Sequence, residues 1–229
     1  MKKIIDEKIK RIEDALSDKV IIEVAPNINS DACVDFYNWK DITKLPKILH
    51  KPSIDKVHIL HELIHLEMFF IDGYQIIAHY NNSNMDEINN IESTFKNIPE
   101  DYVAHKIISD YGFNPIKETW FDKNNNINET AITDLEICAK MIKFSNYAEF
   151  VPKYKHLKED MFNKIKLVKP ELYLNANKVI AILENIDYLD KHSYNSCLNP
   201  IIKILSPSFC SIIHASLLTK ERGGWFFKP

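Results

Sequence analysis

The 229-residue chain reads as an α+β protein. A small sheet is expected beside a helix carrying His61-Glu62-Leu63-Ile64-His65. A second helix over 98–111 should complete the site of the first, and an α-rich C-terminal half follows. Three observations predict this class. Short β-branched runs ended by Pro or Asn lie before about residue 80. Apolar residues at helical spacing fill almost everything after residue 129. The apolar fraction of 45% and charged fraction of 27% are those of a globular chain able to bury its own core.

The elements follow in order. Ile4, Ile5, Ile9, Ile12 and Leu16 repeat at helical spacing over 2–17. Residues 19–25 are β-branched and end at Pro26, so they predict a strand, with a second over 32–39. Residues 45–52 carry two prolines and read as a loop. Ser53 is placed to cap a helix over 54–71, with Asp55 in its first turn and Gly73 as its stop. Residues 75–80 read as a short strand, 81–84 as a polar loop and 86–95 as a helix. Asn97, Pro99 and Glu100 form a helix start in which Glu100 reaches back as a capping-box residue, and Gly112 ends that helix. Helices are expected over 129–144, 147–167 and 171–188, with a further apolar segment over 198–218 and an unassigned aromatic tail at 223–227. The Asn-rich stretch 122–128 suggests a division into 1–121, the motif-bearing core, and 122–229, a helical subdomain.

Composition excludes several functions. A formal net charge of -3 leaves no electrostatic footprint for a polyanion, so no nucleic acid is expected. Only four glycines occur, and no phosphate-cradling glycine motif or Gly-x-Ser-x-Gly elbow is present. Cys33, Cys138, Cys197 and Cys210 are scattered, which suits free thiols in a reducing compartment. No apolar run reaches membrane-spanning length, so a cytoplasmic protein without a membrane partner is expected.

The chemistry concentrates at residues 61–65. Two histidines four apart share one helix face, so both imidazoles can reach one ion at zinc–nitrogen bonding distance. Glu62 borders the same cavity, where it can take a proton from a metal-activated water as that water attacks a carbonyl. With nine His and 16 Glu in the chain, about 0.02 chance occurrences of the pattern are expected. Leu60, Leu63, Ile64 and Leu66 make the helix apolar almost all round, and unpartnered His and Glu inside such a helix would be costly. His58 shares roughly the same side, but reads better as an ordinary helix histidine.

His61-Glu62-Leu63-Ile64-His65 resembles the signature of the zincin metallopeptidases, over about residues 54–112. No His-x-x-Gly-x-x-His extension follows His65, so the minimal or gluzincin-like group is the closer match. The resemblance implies Zn2+ held by His61, His65 and a third ligand from a second helix. It also implies an edge strand, here 32–39, that aligns a peptide by main-chain pairing.

For that third ligand, His105 is favoured over Glu100, because a helix cap already explains Glu100. Asp101, one turn before His105, is expected to orient its imidazole. Glu67, Glu87, Glu92 and His79 are further candidates. Tyr80, Tyr102, His79 and Tyr111 are candidates by type for steadying an oxyanion. The expected activity is zinc-dependent peptide-bond hydrolysis of an intracellular protein or peptide, with Glu62 as general base. The alternatives are hydrolysis of a non-peptide amide and a catalytically idle zincin-like module, with a protein partner for the helical half.

Overall fold

A computed structural model describes residues 1–36, 43–79, 98–117, 133–205, 207, 213–221 and 223–228. It shows the α+β class: seven α-helices and two three-stranded sheets among the described residues, with the helices concentrated in the C-terminal half.

Helix α1 (Lys2–Leu16) buries Ile5 and Ile12 against the motif helix. Strands β1 (Ile22–Val24) and β2 (Ala32–Val34) flank β3 (Ile48–His50), giving the order β1-β3-β2. β1 runs parallel and β2 antiparallel to β3. The central strand is therefore the segment whose prolines predicted a loop. Pro46 and Pro52 lie outside the three residues that form the ladder, so neither removes a donor from it.

Helix α2 (Lys56–Glu67) carries the motif. Its cap is Asp55, which accepts the Val57 N–H at 3.1 Å, rather than Ser53, whose φ of 59° takes it out of the approach to the helix. The helical path widens to a π-turn over Met68–Asp72 and stops at Gly73, at a φ of 77° that glycine adopts without strain. β4 (Ile76–His79) follows. The helix expected over 86–95 lies outside the described residues.

Helix α3 (Pro99–Asp110) has Ile98 at its cap position with no side-chain cap bond, and Asn97, the expected cap, is outside the described residues. Helix α4 (Asp134–Phe150) opens with a capping box between Thr133 and Glu136. It does not break near residue 145 as expected. Ser145 and Asn146 are buried mid-helix, and the helix ends only at Val151, before Pro152. Helices α5 (Lys155–Val168) and α6 (Pro170–Glu184) form a hairpin, and α7 (Lys191–Leu205) contains Pro200.

The apolar stretch and tail expected to be helical or unassigned contain β5 (Ile213–Glu221) and β6 (Gly224–Lys228). β5 pairs antiparallel with both β4 and β6, so segments from either side of residue 121 share one sheet. They share one core as well, from Ile12 through Leu63 and Phe144 to Trp225. Among the described residues no helix is long and apolar enough to cross a membrane.

Candidate metal centre

The site is built where α2 and α3 pack together. α2 is buried on nearly every side: Leu60, Leu63, Ile64 and Leu66 are at most 1% exposed. Two of its polar faces therefore point into the protein. One carries His61, His65 and Glu62, and the other carries Glu67.

His61 and His65 lie one turn apart, with their Nε2 atoms 2.9 Å from each other. Two imidazole nitrogens at that distance need something positive between their lone pairs, a proton or a metal ion. From α3, Asp101 Oδ1 comes within 3.2 Å of His61 Nε2 and 3.7 Å of His65 Nε2. The three ligand atoms lie within 4.8 Å of one another.

His105, one turn after Asp101, is also buried here, its ring centroid 5.0 Å from that of His61. Its Nδ1 is buried without a hydrogen-bond partner, as is Nδ1 of His65. The second helix thus mirrors the first, with Asp101 and His105 four residues apart facing His61 and His65.

The sequence favours His105 as third ligand, with Asp101 orienting it. The structure brings Asp101 to both imidazoles of the motif, while His105 stands beside them with its ring edge-on to Tyr147 and Phe150. Glu100 is buried at the start of α3, and its charge acts on the buried Tyr194 hydroxyl of α7.

Electrostatics sharpen the arrangement. Burial alone would raise Asp101, but hydrogen bonds from His61 and His65, with the charges of His61 and Lys143, hold it well below the usual carboxylate range. Burial would lower His61, yet the hydrogen bond and charge of Asp101, helped by Glu62, raise it. Burial, then the charge of His61, pushes His105 well below the ordinary histidine value, so its imidazole is neutral at pH 7. The Asp101 carboxylate and the two facing Nε2 atoms of His61 and His65 are a donor set that could hold a divalent ion. The residues fit a metal ion.

Glu62 is 9% exposed, and its Oε2 accepts the Val34 N–H at 2.9 Å. Among the described residues β2 lies at the sheet edge. Asp35 N–H donates to Lys47 O and Lys51 N–H to Asp31 O, so the odd-numbered residues bond β3 and the Val34 N–H points away from it. The edge strand and the glutamate are thereby joined.

Other candidates are placed elsewhere. Glu67 is bound by Lys8 and Arg11. His58 stands 3.4 Å from Asp31. Tyr102 is engaged by Lys106, and the ammonium of Lys8 lies over the exposed ring of Tyr111. Tyr80, Glu87 and Glu92 are outside the described residues, as is the side chain of His79.

Two residues at the site were not anticipated. Lys143 Nζ lies 4.0 Å from Asp101 Oδ2, and buried Tyr147 lies against His105. Burial, then the Asp101 charge, raises the Tyr147 hydroxyl well above its ordinary value. Both come from α4, four residues apart, in the stretch where a helix break was expected. Reading α4 as continuous would have put them on one face.

No protein-family profile, curated protein or solved structure matches this chain. The functional reading therefore rests on the residues themselves.

Proposed function

We propose that this chain is a zinc-dependent metallohydrolase and, within that class, a peptidase. The observation that carries this reading is the convergence of His61, His65 and Asp101 within 4.8 Å, with buried Glu62 adjacent in the motif. His61 and His65 would hold the ion through Nε2, and Asp101 would complete the set. A bound zinc ion supplies Lewis-acid polarisation of a carbonyl and makes a water acidic enough to lose its proton near neutral pH.

The chain's own groups would do the rest. The Val34 N–H fixes one oxygen of Glu62, leaving the other as proton acceptor from the attacking water and later as donor to the leaving amine. Lys143 and Tyr147 stand where they can face developing negative charge. The outward face of β2 offers main-chain groups to an extended peptide.

A second reading has a specific observation behind it. His105 could add a fourth donor, closing the site and making it structural, since hydrolysis needs an open position.

The test pairs zinc analysis with cleavage of an unfolded protein and a peptide library. The peptidase reading requires that wild type cleaves and Glu62→Gln does not, with zinc retained in both. Zinc without cleavage of any peptide overturns it. His105→Ala then separates the two readings: a three-donor site keeps its zinc, and a closed site loses affinity.

A further inference from the structure

The two oxygens of Asp101 face different ways. Oδ1 lies toward the imidazoles of His61 and His65, and Oδ2 lies 4.0 Å from Lys143 Nζ. That separation is too long for a hydrogen bond. Among the described residues Asp101 is the one ion-pair partner of Lys143, and no acceptor comes within hydrogen-bond reach of its ammonium. The Lys143 side chain is 25% exposed, more than His61, His65 and Asp101 at 15%, 9% and 18%. A lysine drawn this far out of water ordinarily spends its three donors on acceptors. Here they stand open on the accessible side of the cluster.

After burial and the nearer groups already named, the Lys143 charge acts on Asp101, His61 and His105 alike. A divalent ion, the carboxylates of Asp101 and Glu62 and this ammonium leave one formal positive charge at the centre, which favours an anionic substrate group. The charge that develops during hydrolysis arises on the Oδ1 side, where the metal donors converge. Lys143, beyond Oδ2, is better placed for a charge that the substrate carries from the outset. The helix behind it is tightly packed: Met141, Ile142, Phe144 and Ser145 of α4 are at most 2% exposed. A peptide that ends at Lys143 fits this closed side, and one that runs on meets α4. A terminal carboxylate is also held one carbon from the leaving nitrogen, whereas a side-chain carboxylate has no such fixed place.

We propose that Lys143 is a specificity-determining residue that binds the free C-terminal carboxylate of a peptide, so that the last residue is the one released. The inference rests on the peptidase reading above. Water adds across the final peptide bond: the acyl carbon takes the oxygen, the C–N bond breaks, and the departing amino acid takes a proton on its amine. Its carboxylate, held by charge-assisted hydrogen bonds from Lys143, has no part in the bond change.

The test mixes two copies of one peptide library in equal amounts, one with free C-termini and one amidated. The full chain with Glu62→Gln, immobilised and loaded with zinc, should retain the free members over the amidated ones by about ten- to a hundredfold, the value of a hydrogen bond to a charged group. Adding Lys143→Gln should remove that preference, and adding Lys143→Arg should keep most of it. Wild type should release C-terminal residues singly from the free library, and Lys143→Gln should raise KM far more than it lowers kcat. Zinc content and far-UV circular dichroism of each variant should equal wild type. Zinc lost in Lys143→Gln would make the lysine a support for Asp101 and overturn the inference. Equal retention of the two libraries overturns it, as does a preference that survives Lys143→Gln. Amidated members ending in Asp or Glu retained as well as the free ones also overturn it. Cleavage by wild type at internal bonds alone overturns it and leaves the peptidase reading standing. A Lys143-dependent preference without any cleavage supports the carboxylate site and overturns the peptidase reading alone.

Discussion

The motif helix buries charge on two faces, and the faces differ in how that charge is met. On one, Glu67 is 4% exposed and pairs with Lys8 and Arg11 of α1, and Arg11 also reaches Asp72 at 2.7 Å. Carboxylates and cations answer each other there. On the other, His61, His65, Asp101 and His105 gather with two unpartnered ring nitrogens and two Nε2 atoms facing at 2.9 Å. The first cluster is complete as it stands and locks α1 to α2. The second brings the Nε2 atoms of His61 and His65 and the Asp101 carboxylate to one point, where a divalent cation would satisfy all three.

Substitutions in the second cluster should have the largest effects. His61→Ala or His65→Ala should abolish measurable zinc binding, while Glu67→Gln should leave it intact. Glu62→Gln should keep zinc and lower peptide cleavage by about 10²–10⁴-fold, the usual contribution of a general base.

At the first cluster the effect should be on folding alone. Glu67→Gln leaves Lys8 buried against a neutral partner, so urea unfolding should show a loss of about 3–5 kcal/mol. A smaller loss would mean that Lys8 escapes to water.

Zinc should tie the second cluster to stability. At a thousandfold excess over Kd, wild type should gain about 4 kcal/mol, and His65→Ala should gain nothing.

Acid should act on the same cluster in the metal-free chain. The folded state holds His105 below its unfolded value, so the unfolded state binds more protons in mild acid. The contribution from His105 is therefore present above the ordinary histidine value near 6.5 and lost as pH falls below it. His61 acts in the opposite sense, its raised value giving stability that fades as pH rises. His105→Phe should consequently remove destabilisation in mild acid and leave the His61 trend visible in a pH series of unfolding curves.

The smallest effect belongs outside both clusters. Leu167→Asp should change stability by less than about 0.5 kcal/mol, as for a surface site.

How far the sequence revealed this arrangement depends on whether the information is local. His61, Glu62 and His65 are fixed relative to each other by one helix, so their spacing announces them. The α+β class, α1, α2 and the Gly73 stop were legible for the same reason. That Asp101 rather than His105 comes nearer to both imidazoles was not. Both are on the inner side of α3, and only the approach of α3 to α2 selects the one whose atom reaches both imidazoles.

β3 was missed because prolines at 46 and 52 mask a three-residue strand whose partners are distant in sequence. β5 was missed in part because one of its two edges pairs with β4, more than a hundred residues earlier. Lys143 and Tyr147 went unseen for a more avoidable reason: Ser145 and Asn146 read as a break, although burial within α4 accommodates both.

Metal binding by the buried cluster of His61, His65 and Asp101 can be read from zinc content. Zinc per chain, measured by elemental analysis after dialysis for wild type, Asp101→Ala and Glu67→Gln, tests it most directly. One zinc ion is expected in wild type and Glu67→Gln, with a large loss in Asp101→Ala. No zinc in wild type, or full occupancy in Asp101→Ala, would contradict it.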